Sequence, residues 1–189
     1  EVIKTLLEAF ILVALVVFIF LQDWRATLVP IIAVPVSLVG TFTFMLAFGF
    51  SINLLTLFSL VLAIGIVVDN AIVVVEAVHA KMEEKDMPVL AATQEAMHEI
   101  SGAILAITLV MGAVFVPVAF LSGPIGVFFR QFSVTMAISI ALSGLTALTL
   151  TPALCVLLLK KPEHHQKNWL GKFFRAFNHH YDQIANKYL

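Results

Sequence analysis

Long apolar stretches separated by short polar connectors make up most of this sequence. Five of the stretches reach or exceed the ~20 residues that an α-helix needs to cross a bilayer. We predict transmembrane helices at residues 2–21, 27–48, 52–78, 101–121 and 132–159. The connectors are a tight polar turn (22–25), a short uncharged loop (49–53), a longer charged segment (79–99) and a glycine/proline break (122–126). The pattern predicts an all-α integral membrane protein.

The last part of the sequence has a different pattern. Within residues 168–189, apolar side chains recur at helical spacing, namely Leu170, Phe173, Phe174, Phe177, Tyr181, Ile184 and Tyr188. Polar and charged residues occupy much of the opposite side. This pattern predicts an amphipathic helix on the membrane surface, with a linker helix docked against protein as the alternative. We therefore divide the chain into a transmembrane bundle (1–160) and a linker with an amphipathic surface helix (161–189).

The composition supports a membrane protein and excludes several other classes. Of the 189 residues, 61% are hydrophobic and 12% are charged, and the mean hydropathy is +1.03. A soluble domain cannot bury that much apolar surface, so lipid is an expected partner. The net charge of −1 does not indicate a nucleic-acid partner. A single cysteine, Cys155, excludes an internal disulfide and is expected to serve packing.

Lysine and arginine are distributed unevenly over the two ends of the predicted spans. One end receives nine of them: Arg25, Lys81, Lys85, Lys160, Lys161, Lys167, Lys172, Arg175 and Lys187. The other end receives Lys4 and Arg130. Because cytoplasmic loops are enriched in Lys and Arg, we expect the C-terminus of the segment in the cytoplasm. Five spans then place its N-terminus outside.

The third predicted span contains the residue that best indicates function. Asp69 is the sole ionisable side chain between Leu54 and Val75. A carboxylate in hydrocarbon is costly, so such residues usually face a partner or a water-filled path. Helical spacing places Glu76 on the same face as Asp69, and Gly65 one turn earlier would permit close approach of another helix. A carboxyl group that gains and loses a proton beside a movable cation would be a natural switch. The alternative is a structural hydrogen bond.

Three further polar residues in the spans allow more than one interpretation. Asn70 lies about 100° around the helix from Asp69 and cannot take up a proton at physiological pH. It could belong to the same proton-relay network or simply link two helices. Glu8, early in the first span, could line an outer approach to Asp69 or could be an ordinary acid at the interface. Glu76, near the end of the third span, could likewise belong to the site around Asp69 or could be an ordinary acid at the interface.

Other polar groups indicate packing or surface positions. Ser139, Ser143 and Thr146 follow each other at helical spacing in the last span, a pattern typical of close helix packing. The histidine pairs 164–165 and 179–180 lack accompanying carboxylates or cysteines, so we predict no metal site and no cofactor. An intramembrane aspartyl protease needs two membrane-depth aspartates, and this chain has one. We therefore do not predict an enzyme.

Several runs in the sequence resemble one family of transporters. Residues 49–58 (GFSINLLTLF) and 65–76 (GIVVDNAIVVVE) resemble the fourth transmembrane helix of resistance-nodulation-division (RND) efflux pumps, in their hydrophobe/amphiphile multidrug branch. Further matching runs are residues 21–35 (LQDWRATLVPIIAVP), 115–133 (FVPVAFLSGPIGVFFRQFS) and 150–155 (LTPALC). In the family's order, the five spans resemble its second to sixth helices, followed by its cytoplasmic surface helix.

The resemblance implies a function that this segment would not perform alone. It implies a proton-driven antiporter of the bacterial inner membrane, commonly a homotrimer coupled to a periplasmic adaptor and an outer-membrane channel. Asp69 falls on the position of the proton-relay acid. The periplasmic domains and the helix with the cationic partner are expected in the rest of the transporter, since the chain resembles part of a larger protein and no other span carries Lys or Arg at membrane depth.

The resemblance has one departure and leaves two alternatives open. Well-known multidrug members carry two adjacent acids on this helix, whereas Asn70 stands at the second position here. A single titratable group leaves the proton stoichiometry open and loosens the assignment to drugs. The alternatives are an RND exporter of another substrate class, such as a metal or a lipid, and a non-transporting membrane scaffold.

Overall fold

The computed structural model describes residues 2–160, except for the side chains of residues 2, 3 and 124. In this part of the chain all regular elements are helices: α1 (Val2–Leu21), α2 (Trp24–Ala47), α3 (Leu54–Lys85), α4 (Val89–Val118), α5 (Gly123–Leu148) and α6 (Leu150–Leu158). Five of them, α1 to α5, are long and apolar enough to cross a membrane. The prediction of an all-α membrane protein is confirmed. The predicted amphipathic helix at 161–189 lies outside the described residues.

Helices α3 and α4 extend well past the predicted spans into the charged segment 79–99. A three-residue turn at 86–88 is all that separates them, and Asp86 adopts a left-handed backbone conformation there (φ 52°). The span prediction counted the residues needed to cross a bilayer. A helix does not have to end where the lipid ends, because each further turn keeps its backbone hydrogen bonds.

The structure has two helices where the sequence predicted the fifth span, and the first of them begins before residue 132. Helix α5 starts at Gly123 rather than at 132, and a break at Thr149 separates it from α6. Pro152 has no amide hydrogen to donate to the carbonyl of Leu148, so the regular hydrogen-bond ladder is interrupted at this point. By contrast, Pro30 and Pro35 lie inside α2 without ending it.

The start of α3 is defined by a capping box. The Asn53 side chain accepts hydrogen bonds from the backbone amides of Leu55 (2.9 Å) and Thr56 (3.0 Å), and the Thr56 hydroxyl accepts one from the amide of Asn53 (2.8 Å). Asn53 Nδ2 also donates to Gln131 Oε1 of α5 at 2.6 Å. Satisfying the free amides in this way is typical of stable helix N-termini. The cap therefore also connects α3 to α5.

Helix α3 is the centre of the bundle. It contacts all five other described helices, whereas most side chains of α1 and α4 are exposed. Aliphatic core clusters surround α3: one includes Val74, Val75 and Met82, a second includes Ile64 and Val67, and a third includes Ala63. Since α1 and α4 expose long rows of large apolar residues, their outer faces suit contact with lipid tails.

The two ends of the bundle differ in charge. We call the end with the α1–α2 and α3–α4 turns the charged end, and the opposite end the loop end. At the charged end, Lys81 Nζ lies 2.6 Å from Glu99 Oε1 and 3.6 Å from Glu95 Oε1, and Lys85 pairs with Glu95. The hydrogen bond to Glu99 raises the pKa of Lys81, and the hydrogen bond from Lys85 lowers that of Glu95. These pairs connect α3 to the first turns of α4.

The buried thiol provides a test of this packing. Cys155 of α6 is 0% exposed within the core at the charged end. In a full-length transporter whose sole cysteine is Cys155, we expect maleimide to react only after denaturation, because the reagent cannot reach the thiolate it requires. A Lys160→Cys variant that also lacks Cys155 provides the control, since Lys160 is exposed. Equal labelling rates for both folded proteins would contradict the described position of α6.

Candidate functional site

One face of α3 is not covered by any described helix. Along it, exposed residues recur every three or four positions, in the order Phe58, Leu62, Gly65, Asp69, Val73 and Glu76. We call this row the α3 stripe. It is apolar except for its two acids. Within residues 2–160, no hydrogen bond or ion pair involves the Asp69 side chain. The structure thus brings Asp69, Gly65 and Glu76 onto one face, as the helical spacing predicts.

The glycine of the stripe leaves room for another chain segment. Apart from its chain neighbours and the adjacent backbone of α3 itself, no described atom lies within 4 Å of a Cβ built on Gly65. The close helix approach predicted at this position is therefore not made by any described helix, and it stays a prediction for a helix outside residues 2–160. An uncovered face with a small residue beside an acid is suited to receive such a helix.

Asn70 occupies a different face and faces the interior of the bundle. Its side chain is 5% exposed, and its Nδ2 donates a hydrogen bond to Ser143 Oγ of α5 at 2.9 Å. One residue of helix corresponds to a rotation of about 100°, which separates Asn70 from the α3 stripe. Of the two interpretations left open by the sequence, the described contact is the one that links two helices.

Ser143 belongs to a row of small polar residues that joins three helices. We call Ser139, Ser143 and Thr146 the α5 seam; all three are buried. The Ser139 hydroxyl lies 3.2 Å from that of Thr41, and the Thr146 hydroxyl accepts a hydrogen bond from Ser37 at 3.1 Å. The prediction that this row serves helix packing is confirmed. The α5 seam thus contacts α2 on one side and α3 on the other.

Close packing continues on the side of α5 that faces α4. A Cβ built on Gly144 would lie 2.4 Å from Oγ1 and 2.7 Å from Cγ2 of Thr108. Real Cβ contacts are longer, so a side chain at position 144 requires the two helices to separate. Glycine at this position therefore sets the α4–α5 distance.

Sequence reasoning missed Ser37 and Thr41, the partners of the α5 seam on α2. A signal was present, because the two residues are four apart in an apolar span and flank Gly40, a spacing that puts them on one face. The pairs Lys81–Glu99 and Lys85–Glu95 were also missed. Their discovery required knowing that the charged segment 79–99 folds into two helix ends.

Glu8 lies apart from these groups. Its carboxylate is 3.8 Å from Lys4 Nζ one turn earlier on α1, and both side chains are largely exposed. An exposed pair of this kind is weak and screened by solvent. The described residues place no other candidate site residue beside Glu8, so a role in an approach path to Asp69 stays a prediction.

Metal-ligating side chains do not cluster in the described part of the chain. Within residues 2–160, no group of three or more His, Cys, Asp or Glu side chains is arranged to hold a metal ion. The histidine pairs 164–165 and 179–180 lie outside the described residues. The described candidate residues are a carboxyl group on the α3 stripe and an amide that hydrogen-bonds between helices.

Comparison with known sequences decides the family. The family model described as AcrB/AcrD/AcrF matches residues 1–189. The chain belongs to this family. The resemblance to RND efflux transporters is thereby confirmed.

Relatives of the AcrB/AcrD/AcrF family cover the whole chain. Multidrug export protein AcrF of Escherichia coli (strain K12) is 53% identical over 100% of this chain and 18% of its own length. Toluene efflux pump membrane transporter TtgB of Pseudomonas putida (strain DOT-T1E) is 50% identical over 99% and 18%, respectively. Multidrug resistance protein MdtF of Escherichia coli (strain K12) is 49% identical over 100% and 18%.

The chain spans about a fifth of the length of these curated relatives. It corresponds to a multi-pass membrane segment of these larger transporters.

Proposed function

We propose that this chain is the transmembrane part of a proton-driven efflux antiporter in which Asp69 binds the coupling proton. The observation that carries the proposal is the position of Asp69 at the middle of the uncovered α3 stripe. A membrane-depth carboxyl group is costly unless it serves a partner or an ion path. Here it lies on the one face of the central helix that is free to receive another helix.

The proton cycle follows from the charge of this group. A carboxylate beside a cation is held by an attraction that strengthens in a medium of low polarity. Taking up a proton removes that attraction, and the cationic helix is released to shift along the α3 stripe. Loss of the proton restores the pair. The cationic partner belongs to a helix outside this segment, and Gly65 permits it to approach closely.

The setting of this cycle is the bacterial inner membrane. The excess of Lys and Arg at the charged end supports placing that end in the cytoplasm and the loop end in the periplasm. We infer that the rest of the same transporter supplies the cationic helix and periplasmic domains. The family supports a homotrimer that works with a periplasmic adaptor and an outer-membrane channel.

Drugs or other amphiphiles are the proposed substrates. The names of AcrF and MdtF refer to multidrug export and resistance, and that of TtgB refers to toluene efflux. These names favour amphiphiles as the exported class.

Reconstitution of the full-length transporter tests the function. With a pH gradient imposed across proteoliposomes, we expect a lipophilic fluorescent cation to move against the direction of proton flow. A protonophore should stop this movement. Movement that persists with the protonophore would contradict proton coupling, and its absence under every gradient would favour a scaffold. Competition by divalent metal ions or by lipids would instead indicate another substrate class.

A further inference from the structure

We propose that Asn70 is a positioning residue for Asp69, acting through its hydrogen bond to Ser143 of α5. The inference rests on the proposed function of Asp69. It assigns to Asn70 a mechanical role: fixing the rotation of α3 about its own axis, so that the α3 stripe with Asp69 keeps facing the side that no described helix covers.

The contact between Asn70 and Ser143 is suited to hold α3 in one rotational position. Asn70 is 5% exposed and Ser143 is 1% exposed, and the Nδ2–Oγ distance is 2.9 Å. Hydrogen bonds are directional, whereas aliphatic packing is not. Between Ser59 and Lys81, Asn70 makes the only side-chain hydrogen bond of α3 within the described residues. Its buried neighbours Val67 and Val74 contribute packing alone.

The partner helix is itself held in place. On either side of Ser143, Ser139 bonds to Thr41 and Thr146 bonds to Ser37, both on α2. Helix α5 therefore cannot turn freely to follow α3. Because Asp69 and Asn70 are neighbours on one rigid helix, a rotation of α3 that turned Asp69 away from the uncovered side would also pull Asn70 away from Ser143.

The link does not change with pH. An amide does not titrate in the physiological range, and neither does a hydroxyl. The helices packed against α3 bring few other charges. The titratable or charged groups they carry are Lys4 and Glu8 on α1, Arg25 on α2, Glu95, His98 and Glu99 on α4, Arg130 on α5 and Cys155 on α6. On α3 itself, Glu76 and His79 are the nearest in sequence. Asp69 can therefore exchange its proton while the α3–α5 contact persists.

The test uses the full-length transporter and a variant that does not touch Asp69. Ser143→Ala removes the acceptor of the hydrogen bond while deleting a single oxygen. We expect it to shift the pH midpoint of transport by at least ~0.5 pH unit. A shift of that size corresponds to about the free energy of one interhelical hydrogen bond. Asn70→Leu should shift the midpoint in the same direction. The double variant should shift it no further than the larger single shift.

Ser133→Ala provides the matched control. It removes a buried hydroxyl from the same helix, but that hydroxyl makes no hydrogen bond within the described residues. We expect its pH midpoint to stay at the wild-type value even where its melting temperature changes. If Ser143→Ala leaves the midpoint unchanged, or if Ser133→Ala shifts it equally, the positioning role is wrong.

The experiments distinguish failure of the positioning role of Asn70 from failure of the proposed function of Asp69. Wild-type transport in Asp69→Asn would overturn the function itself, whatever the two serine variants do. Loss of transport in Asp69→Asn together with an unshifted Ser143→Ala would overturn the positioning role alone. Should Asn70→Leu fail to fold, Ser143→Ala decides the question by itself.

Discussion

Replacing Asp69 by Asn in the full-length transporter is expected to reduce efflux to the level of cells that lack the transporter. The substitution keeps the size and hydrogen-bonding capacity of the side chain but removes its ability to bind and release a proton. Since no described residue forms a hydrogen bond or an ion pair with the Asp69 side chain, the fold of this segment should not change. Dye efflux from energised cells measures the effect, and size-exclusion chromatography measures the amount and oligomeric state of the protein.

Glu83→Gln is the matched control for this prediction. It makes the same change of acid to amide on the same helix, two turns after Glu76 and on the same face. Glu83 is exposed in the charged segment beyond the predicted span, where a charge costs little. We expect this variant to retain wild-type efflux. Wild-type efflux in Asp69→Asn would contradict the proton-binding role of that residue.

Replacing Gly144 by Ala is expected to disrupt the contact between α4 and α5. The new methyl group would lie 2.4 Å from Thr108 Oγ1 and 3.1 Å from Thr108 Cβ, so α4 and α5 would have to move apart. Overpacking of this kind costs about 1–3 kcal/mol. Moving α5 would also disturb the α5 seam on its other faces. We expect a lower melting temperature and a lower yield of folded transporter in detergent.

Gly112→Ala separates this steric effect from the general effect of adding a methyl group. No described atom lies within 4 Å of a Cβ built on Gly112, one turn after Thr108 on α4. Alanine favours helix over glycine by up to about 1 kcal/mol, so this variant should be neutral or slightly stabilised. Equal losses in the two variants would show that the α4–α5 contact is looser than described.

The periodicity of the sequence was sufficient for the fold but not for the orientation of α3. Apolar stretches of bilayer length predict membrane helices directly, and five were found. Helix α3, however, is apolar nearly all round, and such a helix gives no preferred inward face. Asp69 and Asn70 are neighbours, so the sequence alone left open which of them faces the bundle. In the structure Asn70 faces the bundle, because it hydrogen-bonds to the hydroxyl of Ser143, which is distant in the sequence.

The helix boundaries illustrate a second limit. The length rule for membrane spans measures lipid thickness and not helix length, and for this reason the extensions of α3 and α4 were predicted as a connector. The break at Thr149 was not predicted. Pro30 and Pro35 are tolerated inside α2, so a proline alone does not mark the end of a membrane helix. Whether a proline ends a membrane helix depends on neighbours that accept or replace the freed hydrogen bonds.

The attachments of α3 determine how a movement at Asp69 would spread. Near the loop end Asn53 bonds to Gln131, at mid-depth Asn70 bonds to Ser143, and at the charged end Lys81 pairs with Glu99. Hydrogen bonds at three depths oppose sliding of α3 past α4 and α5. A displacement of α3 is therefore expected to carry α4 and α5 with it. Under the proposed function, the moving boundary would then lie along the α3 stripe, and distance measurements between spin labels on α3 and α5 should remain constant during transport.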